Sequence, residues 1–404
     1  MLDDYISHKK SFIVIACSLD DLRHINQVYG EQIGDKLLLE VSKNLSSKGQ
    51  LARIYGNEFF LIVDSNTTKE ELYTFIKELP DTIKIDNYMI PVGASTVIAD
   101  GNRFTSGVDL IDFMEWTLKS IKNASGNRVL IARMSHINNY RRRQLVINAV
   151  TRAIGKKEID VYYQPIIDAD TGRIIGAEAL ARLNDPVLGK ISPGEFIPIA
   201  EQSGLILELG KCVREKVWQL LSEYDIKKAG LDYISVNLSS IECVQREAVE
   251  EIIKESINYG IKPELIAFEI TETAAVASKE ILAYNINTMK EYGFEFYLDD
   301  FGTGYSTMAS LISLPFAVIK LEKGIMRLAM EPMRGDLVKR MIPPMKGYGV
   351  KIVVEGIESE AQAEKARSWG VDYMQGYLYS EPLPKESFIK FAGLEKYENV
   401  MQNA

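Results

Sequence analysis

The stretch FEFYLDDFGTGYS, residues 294–306, places two neighbouring carboxylates, Asp299 and Asp300, at the end of an alternating apolar run. Gly302 and Gly304 follow at once, which is typical of a strand that ends in a turn able to approach a ligand. Two adjacent like charges repel each other unless a cation lies close to them. The stretch therefore predicts a strand whose end faces positive charge.

Eight short β-rich runs follow one another from residue 159 onward, with amphipathic helical segments between them. The runs are IDVYYQPII, IIGAEALAR, DYISVNLS, LIAFEIT, FEFYLDD, FAVIKLE, VKIVVEGI and YMQGYLYS. Eight strands that alternate with helices over about 240 residues are typical of an α/β fold of the TIM-type (β/α)8 barrel class. A doubly wound open sheet is the alternative. In the last of the helical segments, Pro343 and Pro344 predict a break.

The residues before this region show a different pattern. SFIVIACSL predicts a strand, and LARIYGNEFFLIVD predicts a hairpin that turns at Gly56 and Asn57. The pattern favours an α+β domain with a central sheet rich in antiparallel strands. We expect this domain to cover residues 1–135, with a linker at 136–142 and the barrel domain at 143–395.

Polar residues stand at the same level of seven of the eight expected barrel strands. The carboxyl ends of such strands form one rim, where the active sites of these barrels lie. The residues at this rim are Glu178, Asn237, Glu269, Asp299, Asp300, Lys320, Glu355 and Gln375. Glu272 and Glu358 each follow three residues behind a strand-end glutamate. One such carboxylate is usually a helix cap or a solvated residue, but acids that converge on one rim require bound cations.

The types of these residues indicate which cation would bind. Carboxylate and amide oxygens suit Mg²⁺ or Mn²⁺, whereas Zn²⁺ sites usually include His or Cys. The three histidines, His8, His24 and His136, all precede the barrel. A site for two such ions suits phosphoester hydrolysis. Lys320 and Arg182 are the cations that could orient water or phosphate, and an ion pair with a neighbouring acid is the alternative for Lys320.

Composition limits the partners and the compartment. The net charge of −9 and the pI of about 5.2 argue against binding to DNA or RNA. Three widely spaced cysteines fit free thiols in a reducing compartment. No run approaches the roughly 20 apolar residues of a membrane span, and the amino terminus lacks an apolar signal segment. We expect a cytoplasmic chain, and a sensor or anchor before Met1 in a longer natural chain stays open.

The motifs of the second half, taken together, resemble the EAL family of cyclic di-GMP phosphodiesterases. YYQPIID, GAEALAR, ISPGEFIPIAEQSGLI, SVNLS, FEITE, LDDFGTGYS, VVEGIE and QGYLYSEPLP occur in the order and spacing of that family, over residues 143–390. The resemblance implies a TIM-type barrel that cleaves cyclic di-GMP to linear pGpG with two Mg²⁺ or Mn²⁺ ions. It also implies a homodimer.

The resemblance further implies roles for individual residues. The metal ligands would be Glu178, Asn237, Glu269, Asp299, Asp300 and Glu355. The catalytic residues would be Glu178, Lys320, Asp299, Asp300 and Glu355, with Lys320 positioning or activating the water. Gln164, Arg182 and Gln375 would bind substrate, Gln375 also joining the metal and water network. Glu272 and Glu358 would support the site and the loop after Asp300.

Two positions depart from the family pattern. Glu322 stands where the family usually has an aspartate, two residues after its lysine, and Leu183 stands where an aromatic residue is common. Neither change removes a metal ligand. The first puts the rate and the loop geometry in question.

The first half resembles a degenerate member of the GGDEF family of diguanylate cyclases. Its signature turn is YGNEF, residues 55–59, so Asn57 replaces one metal-binding acid and Ser18 replaces the other. Without both carboxylates we expect no cyclase activity. Asn26 and Asp35 match guanine-recognising positions, so the domain either senses GTP or is a retained scaffold.

The whole chain then allows three functions. The rim residues favour an active phosphodiesterase, and a non-catalytic cyclic di-GMP receptor is the alternative. A structural protein that handles no nucleotide is the third.

Overall fold

The computed structural model describes residues 2–7, 11–64, 67–77, 80–122, 128–272, 274, 279–302 and 314–397. The chain divides into two compact units, Met1–Gln144 and Leu145–Ala404. Each unit has hydrophobic clusters of its own.

The first unit contains a five-stranded sheet in the order β2-β3-β1-β6-β7 and a separate hairpin of β4 and β5. The strands are β1 Phe12–Leu19, β2 Gln50–Tyr55, β3 Glu58–Asp64, β4 Thr82–Ile85, β5 Tyr88–Pro91, β6 Ala94–Asp100 and β7 Arg128–Ile131. All pairs are antiparallel except β6 with β7. The hairpin predicted at Gly56 and Asn57 is confirmed, since Tyr55 pairs with Glu58 across it.

Helices cover both faces of this sheet. They are α1 Leu2–Ser7, α2 Leu22–Tyr29, α3 Glu31–Ser46, α4 Lys69–Lys77 and α5 Gly107–Ile121, with a 3₁₀ turn at Gly101–Arg103. Side chains of β1 enter two different clusters, one on each face, which explains why SFIVIACSL is apolar throughout rather than alternating. The predicted α+β domain with an antiparallel-rich sheet is confirmed.

A single helix, α6 at Met134–Lys156, contains the predicted linker and the boundary between the two units. Ile137 and Tyr140 belong to a core cluster of the first unit. Val146 and Val150, further along the same helix, belong to the core of the second. Residues of α6 therefore contribute to the core of each unit.

The second unit contains a closed barrel of eight strands in the order β9-β12-β13-β14-β15-β16-β17-β8, with β8 pairing again with β9. These strands are β8 Asp160–Asp168, β9 Ile174–Asp185, β12 Tyr233–Asn237, β13 Ile266–Thr271, β14 Glu295–Phe301, β15 Val318–Leu321, β16 Lys351–Val354 and β17 Tyr373–Met374. Short flanking strands are β10 Gly189–Ile191, β11 Tyr224–Asp225, β18 Leu383–Pro384 and β19 Glu395–Lys396. The predicted TIM-type barrel is confirmed, and the open sheet is excluded.

The first barrel strand, β8, is antiparallel to both of its neighbours. A short turn, rather than a helix, joins it to β9. In that turn the Asp168 carboxylate accepts hydrogen bonds from the backbone N–H and the hydroxyl of Thr171, and Gly172 takes a φ of 71°. Antiparallel strands can be joined by a tight turn, whereas parallel strands need a long crossover. The beginning of β8 therefore lies at the carboxyl-end rim of the other strands.

Helices surround the barrel in the described part of the second unit. They are α7 Pro193–Ser203, α8 Ile206–Glu223, α9 Ser240–Cys243, α10 Arg246–Asn258, α11 Lys279–Glu291, α12 Lys323–Ala329, α13 Pro332–Gly347, α14 Glu360–Ser368 and α15 Lys385–Ala392, with a 3₁₀ turn at Pro263–Leu265. The break predicted at Pro343 and Pro344 is wrong, because α13 continues past both residues. Buried Ile342 and Met345 on either side pack into the core and hold the helix together.

The inside of the barrel has two levels. A floor of seven buried side chains is separate from the main core: Ile166, Tyr233, Ala267, Tyr297, Val318, Val353 and Tyr373. Further along the same strands toward the rim, the inward side chains become charged. The acidic site thus lies at the rim, above the mainly apolar floor of the barrel.

Candidate metal and active site

Lys320 lies at the centre of the site, on β15, and its side chain is only 1% exposed. Its ammonium Nζ is 2.7 Å from Glu269 Oε2, 2.9 Å from Glu178 Oε2 and 2.7 Å from Glu355 Oε1. A fourth acid, Asp299, places Oδ1 at 3.5 Å. Four acids predicted from four separate strand ends therefore surround one buried cation.

A bulge in β14 brings Asp299 and Asp300 to the same site. Leu298 pairs with Ile319 and Phe301 pairs with Leu321, so both aspartates lie opposite the single residue Lys320. Asp300 has a φ of 55°, in the left-handed region, and its backbone N–H donates to Asp299 Oδ1 at 2.9 Å. In a regular strand, neighbouring side chains point to opposite faces. The bulge removes this alternation.

The carboxylates form two overlapping groups. One oxygen each from Glu178, Glu269 and Asp299 lie within 4.8 Å of one another, and so do oxygens from Asp299, Asp300 and Glu355. Asp299 belongs to both groups. These oxygen-only donor sets fit hard divalent cations such as Mg²⁺ or Mn²⁺. Glu178, Asn237, Glu269 and Asp299 could hold one ion, and the second group could hold another.

The crowding changes the proton affinity of the acids. Burial, with the charge of Asp299, raises the pKa of Asp300 to about 6. Burial also raises the pKa of Glu355 to about 8, although Lys320 opposes it. The pKa of Glu269 is raised well above its usual value by burial and by the charge of Glu178. Burial and mutual repulsion thus raise the proton affinity of these three acids, and a nearby cation opposes that effect.

Glu178 is the exception among the acids. Burial alone would raise its pKa, but the charge of Lys320 and hydrogen bonds from amides lower it. Asn237 Nδ2 donates to Oε1 at 2.8 Å, and Gln375 Nε2 donates to Oε2 at 2.8 Å. Gln375 Nε2 also lies 3.2 Å from Gln164 Oε1. The two glutamines predicted to bind substrate are thus buried and connected to Glu178.

The other predicted site residues lie around this cluster. Arg182 is half-buried, with its guanidinium 5.5 Å from the centre of the Tyr162 ring. Glu272 is buried, and its carboxylate accepts a hydrogen bond of 2.9 Å from the backbone N–H of Gly302. Glu358 is exposed and lies outside the two carboxylate groups. Glu272 and Glu358 were also predicted to support the loop after Asp300. Residues 303–313 of that loop lie outside the described residues.

The two residues that depart from the family pattern, Glu322 and Leu183, lie in different surroundings. Glu322 caps α12, accepting a hydrogen bond of 2.6 Å from the backbone N–H of Gly324, and its charge contributes to the raised pKa of Asp300. Leu183 is buried in the main core. The substitution at 322 therefore keeps a negative charge beside the second group of carboxylates.

In the first unit, the two positions at which the GGDEF resemblance implies metal-binding acids hold Ser18 and Asn57. Asn57 Nδ2 donates to the carbonyl of Leu19 at 2.5 Å and lies 3.3 Å from the Ser18 hydroxyl. The residues that replace two acids thus bind each other and the backbone. Asn26, on α2, packs its side chain against Gly34, and Asp35 on α3 is exposed.

Sequence reasoning missed the polar residues beneath the site. Tyr233 and Ser235 precede Asn237 on β12 at intervals of two residues, and both are buried. Their spacing could have identified them, because residues i and i+2 of a strand face the same side, so Tyr233 and Ser235 face the same side as Asn237.

The fold and the site together define a barrel protein with two groups of acids that could bind metal, arranged around a buried lysine. Comparison with known families agrees. The family model described as "EAL domain" matches residues 147–382, more than half of the chain, and "Diguanylate cyclase, GGDEF domain" matches residues 2–128. The chain belongs to the EAL family, and a GGDEF domain precedes its EAL domain.

Curated relatives match much of the chain. The chain is 28% identical over 400 residues to MucR of Pseudomonas aeruginosa, a "bifunctional diguanylate cyclase/cyclic di-GMP phosphodiesterase", covering 95% of this chain and 57% of MucR. It is 36% identical over 264 residues to the "probable cyclic di-GMP phosphodiesterase" PdeB of Escherichia coli, covering 65% of this chain and 50% of PdeB. The chain thus spans about half the length of the curated relatives that it matches.

Solved structures match the second unit. The PaMucR phosphodiesterase in complex with c-di-GMP is 29% identical with a TM-score of 0.56, covering 60% of this chain and 99% of that one. An EAL domain protein from Listeria monocytogenes is 28% identical with a TM-score of 0.54, covering 60% of this chain and 96% of that one. Among the described residues, no helix has the length and apolar character needed to cross a membrane.

Proposed function

We propose that the chain hydrolyses cyclic di-GMP to linear pGpG at the rim of the barrel, using two Mg²⁺ or Mn²⁺ ions. The observation that carries this proposal is the pair of carboxylate groups that share Asp299 and surround Lys320. The activities for which MucR and PdeB are named support the choice of substrate.

Each of the side chains at the site would have a separate role in the hydrolysis. Bound metal ions supply Lewis acidity, which favours ionisation of water and neutralises charge on the phosphate. Lys320 donates a hydrogen bond that orients the attacking water, and Asp300 accepts its proton. Arg182 pairs with the phosphate. The water oxygen forms a bond to phosphorus, the bond to one 3′ oxygen breaks, and that oxygen takes up a proton.

We propose a regulatory or scaffold role, without cyclase activity, for the first unit. The support is the hydrogen bonding of Asn57 with Ser18 and Leu19 at positions where two metal-binding acids would stand. GTP binding near Asn26 and Asp35, a homodimer and a cytoplasmic location stay predictions from the sequence.

The test is incubation of the purified chain with cyclic di-GMP and Mg²⁺ or Mn²⁺, with and without GTP, and separation of the products by chromatography. Glu178→Gln should abolish formation of pGpG, because it removes a charge from the first carboxylate group. Glu250→Gln, at an exposed position on α10, is the matched control and should retain activity.

Three results would count against these proposals. Turnover retained by Glu178→Gln would refute the site assignment. Cyclic di-GMP that binds to the intact chain but survives with both metals would identify a receptor instead. Cyclic di-GMP made from GTP by the unmodified chain would contradict the reading of the first unit.

A further inference from the structure

Hydroxyl side chains line the barrel directly beneath the acidic site. On β12, Ile234 and Val236 pack into the main core outside the barrel, while Tyr233 belongs to the floor inside it. Side chains alternate along a strand, so Ser235 and Asn237 also face the inside. Asn237 is a predicted metal ligand. Ser235 is therefore one inward position below Asn237, and the register places it opposite Glu178 on β9.

Glu269 faces the same space from the neighbouring strand. On β13, Ala267 belongs to the floor, and Glu269, two residues later, stands above it. The register pairs Ser235 with Ala267 and Asn237 with Glu269. Because neighbouring strands lie about 5 Å apart, Ser235 is within reach of the lower side of the Glu269 carboxylate.

Two polar atoms in this space have no hydrogen-bond partner among the described residues. They are the Ser235 hydroxyl Oγ and Glu269 Oε1. Ser235 is 0% exposed and Glu269 is 1% exposed. The other oxygen of Glu269, Oε2, accepts a hydrogen bond from Lys320. Buried polar atoms in folded proteins almost always have a partner, which can be an ordered water molecule.

A third polar group approaches from below. Tyr233 is buried, and its hydroxyl oxygen also lacks a hydrogen-bond partner among the described residues. Its ring lies 5.1 Å from the ring of Tyr297, which is the residue that pairs with Glu269 between β13 and β14. Gly176 allows this position, since a Cβ there would lie 2.9 Å from the Tyr233 ring.

We propose that Tyr233, Ser235 and Glu269 Oε1 bind one buried water molecule, which positions Glu269 so that Oε2 faces the rim. The proposal rests on the proposed function, because it treats Glu269 as a metal ligand. Three polar partners are the usual number for a buried water molecule. Tyr233 and Ser235 are positioning residues, and they act on the metal through Glu269.

The test measures Mn²⁺ binding without substrate, by electron paramagnetic resonance of the free ion, in the full chain and three variants. Ser235→Ala and Tyr233→Phe should each bind Mn²⁺ roughly 10-fold more weakly, as for other residues that support a metal ligand. Ser256→Ala is the matched control. Its hydroxyl is equally buried, but it donates to the Ile253 carbonyl on α10, so Mn²⁺ affinity should not change.

The outcomes separate the inference from the proposed function. Wild-type affinity in both Ser235→Ala and Tyr233→Phe would overturn the inference and leave the phosphodiesterase proposal intact. Failure of the unmodified chain to bind Mn²⁺ or to cleave cyclic di-GMP would overturn both. A crystal structure with Mn²⁺ provides a second readout: water between Ser235 and Glu269 supports the inference, and Glu269 Oε1 bound directly to the metal refutes it.

Discussion

Replacing Lys320 with methionine would test whether this lysine is the cation that holds the metal-free site together. The substitution keeps most of the side-chain volume but removes the ammonium. Nζ lies within 2.9 Å of Glu178, Glu269 and Glu355 and at 3.5 Å from Asp299. If all four acids are ionised, the cluster carries a net charge of −3 with Lys320 and −4 without it.

The expected loss is large because the lysine is fully buried. Removing one partner from a buried ion pair costs about 3–5 kcal/mol, since the remaining charge is left without compensation. For a domain of this size, each kcal/mol lowers the melting temperature by about 2–4 °C. The variant should therefore melt about 6–20 °C below the unmodified chain in a metal chelator.

The assay is differential scanning calorimetry with chelator and with Mn²⁺. Divalent metal should stabilise Lys320→Met more than the unmodified chain, because it supplies the missing positive charge. Lys323→Met, at an exposed position three residues later, is the control for loss of one lysine and should melt like the unmodified chain. The reasoning is refuted if Lys320→Met is as stable as the unmodified chain in chelator, or if metal stabilises both equally.

Three further predictions concern the acids, the loop and the core. In chelator, stability should fall as pH rises from about 4 to about 8. The folded state binds the protons of Asp300 and Glu355 more tightly than the unfolded state, because their pKa values are raised to about 6 and about 8, and these protons are lost over that range. Melting temperatures that rise across this range would contradict the prediction. Gly302→Ala should lower the free energy of unfolding in urea by about 1 kcal/mol or more. Gly302 has a φ of 107°, and a Cβ there would lie 2.4 Å from the Ile325 side chain. An unchanged unfolding midpoint would show that the turn relaxes. Arg214→Met should lower the free energy of unfolding by about 3–5 kcal/mol, because it leaves Glu242, whose side chain is 2% exposed, without its cationic partner at 2.6 Å. A loss below about 1 kcal/mol in the same assay would contradict this prediction.

Local patterns were sufficient for the strands and the rim. The eight β-rich runs are short and apolar because each barrel strand is packed against helices on its outer face. The acids at their ends could be collected from the sequence because all parallel strands of a barrel end at one rim. That is why Glu178, Glu269, Asp299 and Glu355 were predicted together from separate parts of the chain.

One prediction failed, and one feature was not predicted, where neighbours in space outweighed local preference. Pro343 and Pro344 each remove a helical hydrogen bond, yet burial of Ile342 and Met345 keeps α13 continuous. The reversed direction of β8 depends on a turn at Gly172 and on pairing with two strands distant in sequence. No periodic signal within β8 itself specifies its direction.

By itself, the sequence determined the order of the strands and helices and the acidic character of the rim, because composition and spacing are local properties. Only the tertiary structure decided how the charges meet. The bulge places Asp299 and Asp300 opposite Lys320, and closure of the barrel brings Glu178 to the same ammonium from 142 residues away. Contacts between strands fix these distances, and residues far apart in the chain become neighbours only when the barrel closes.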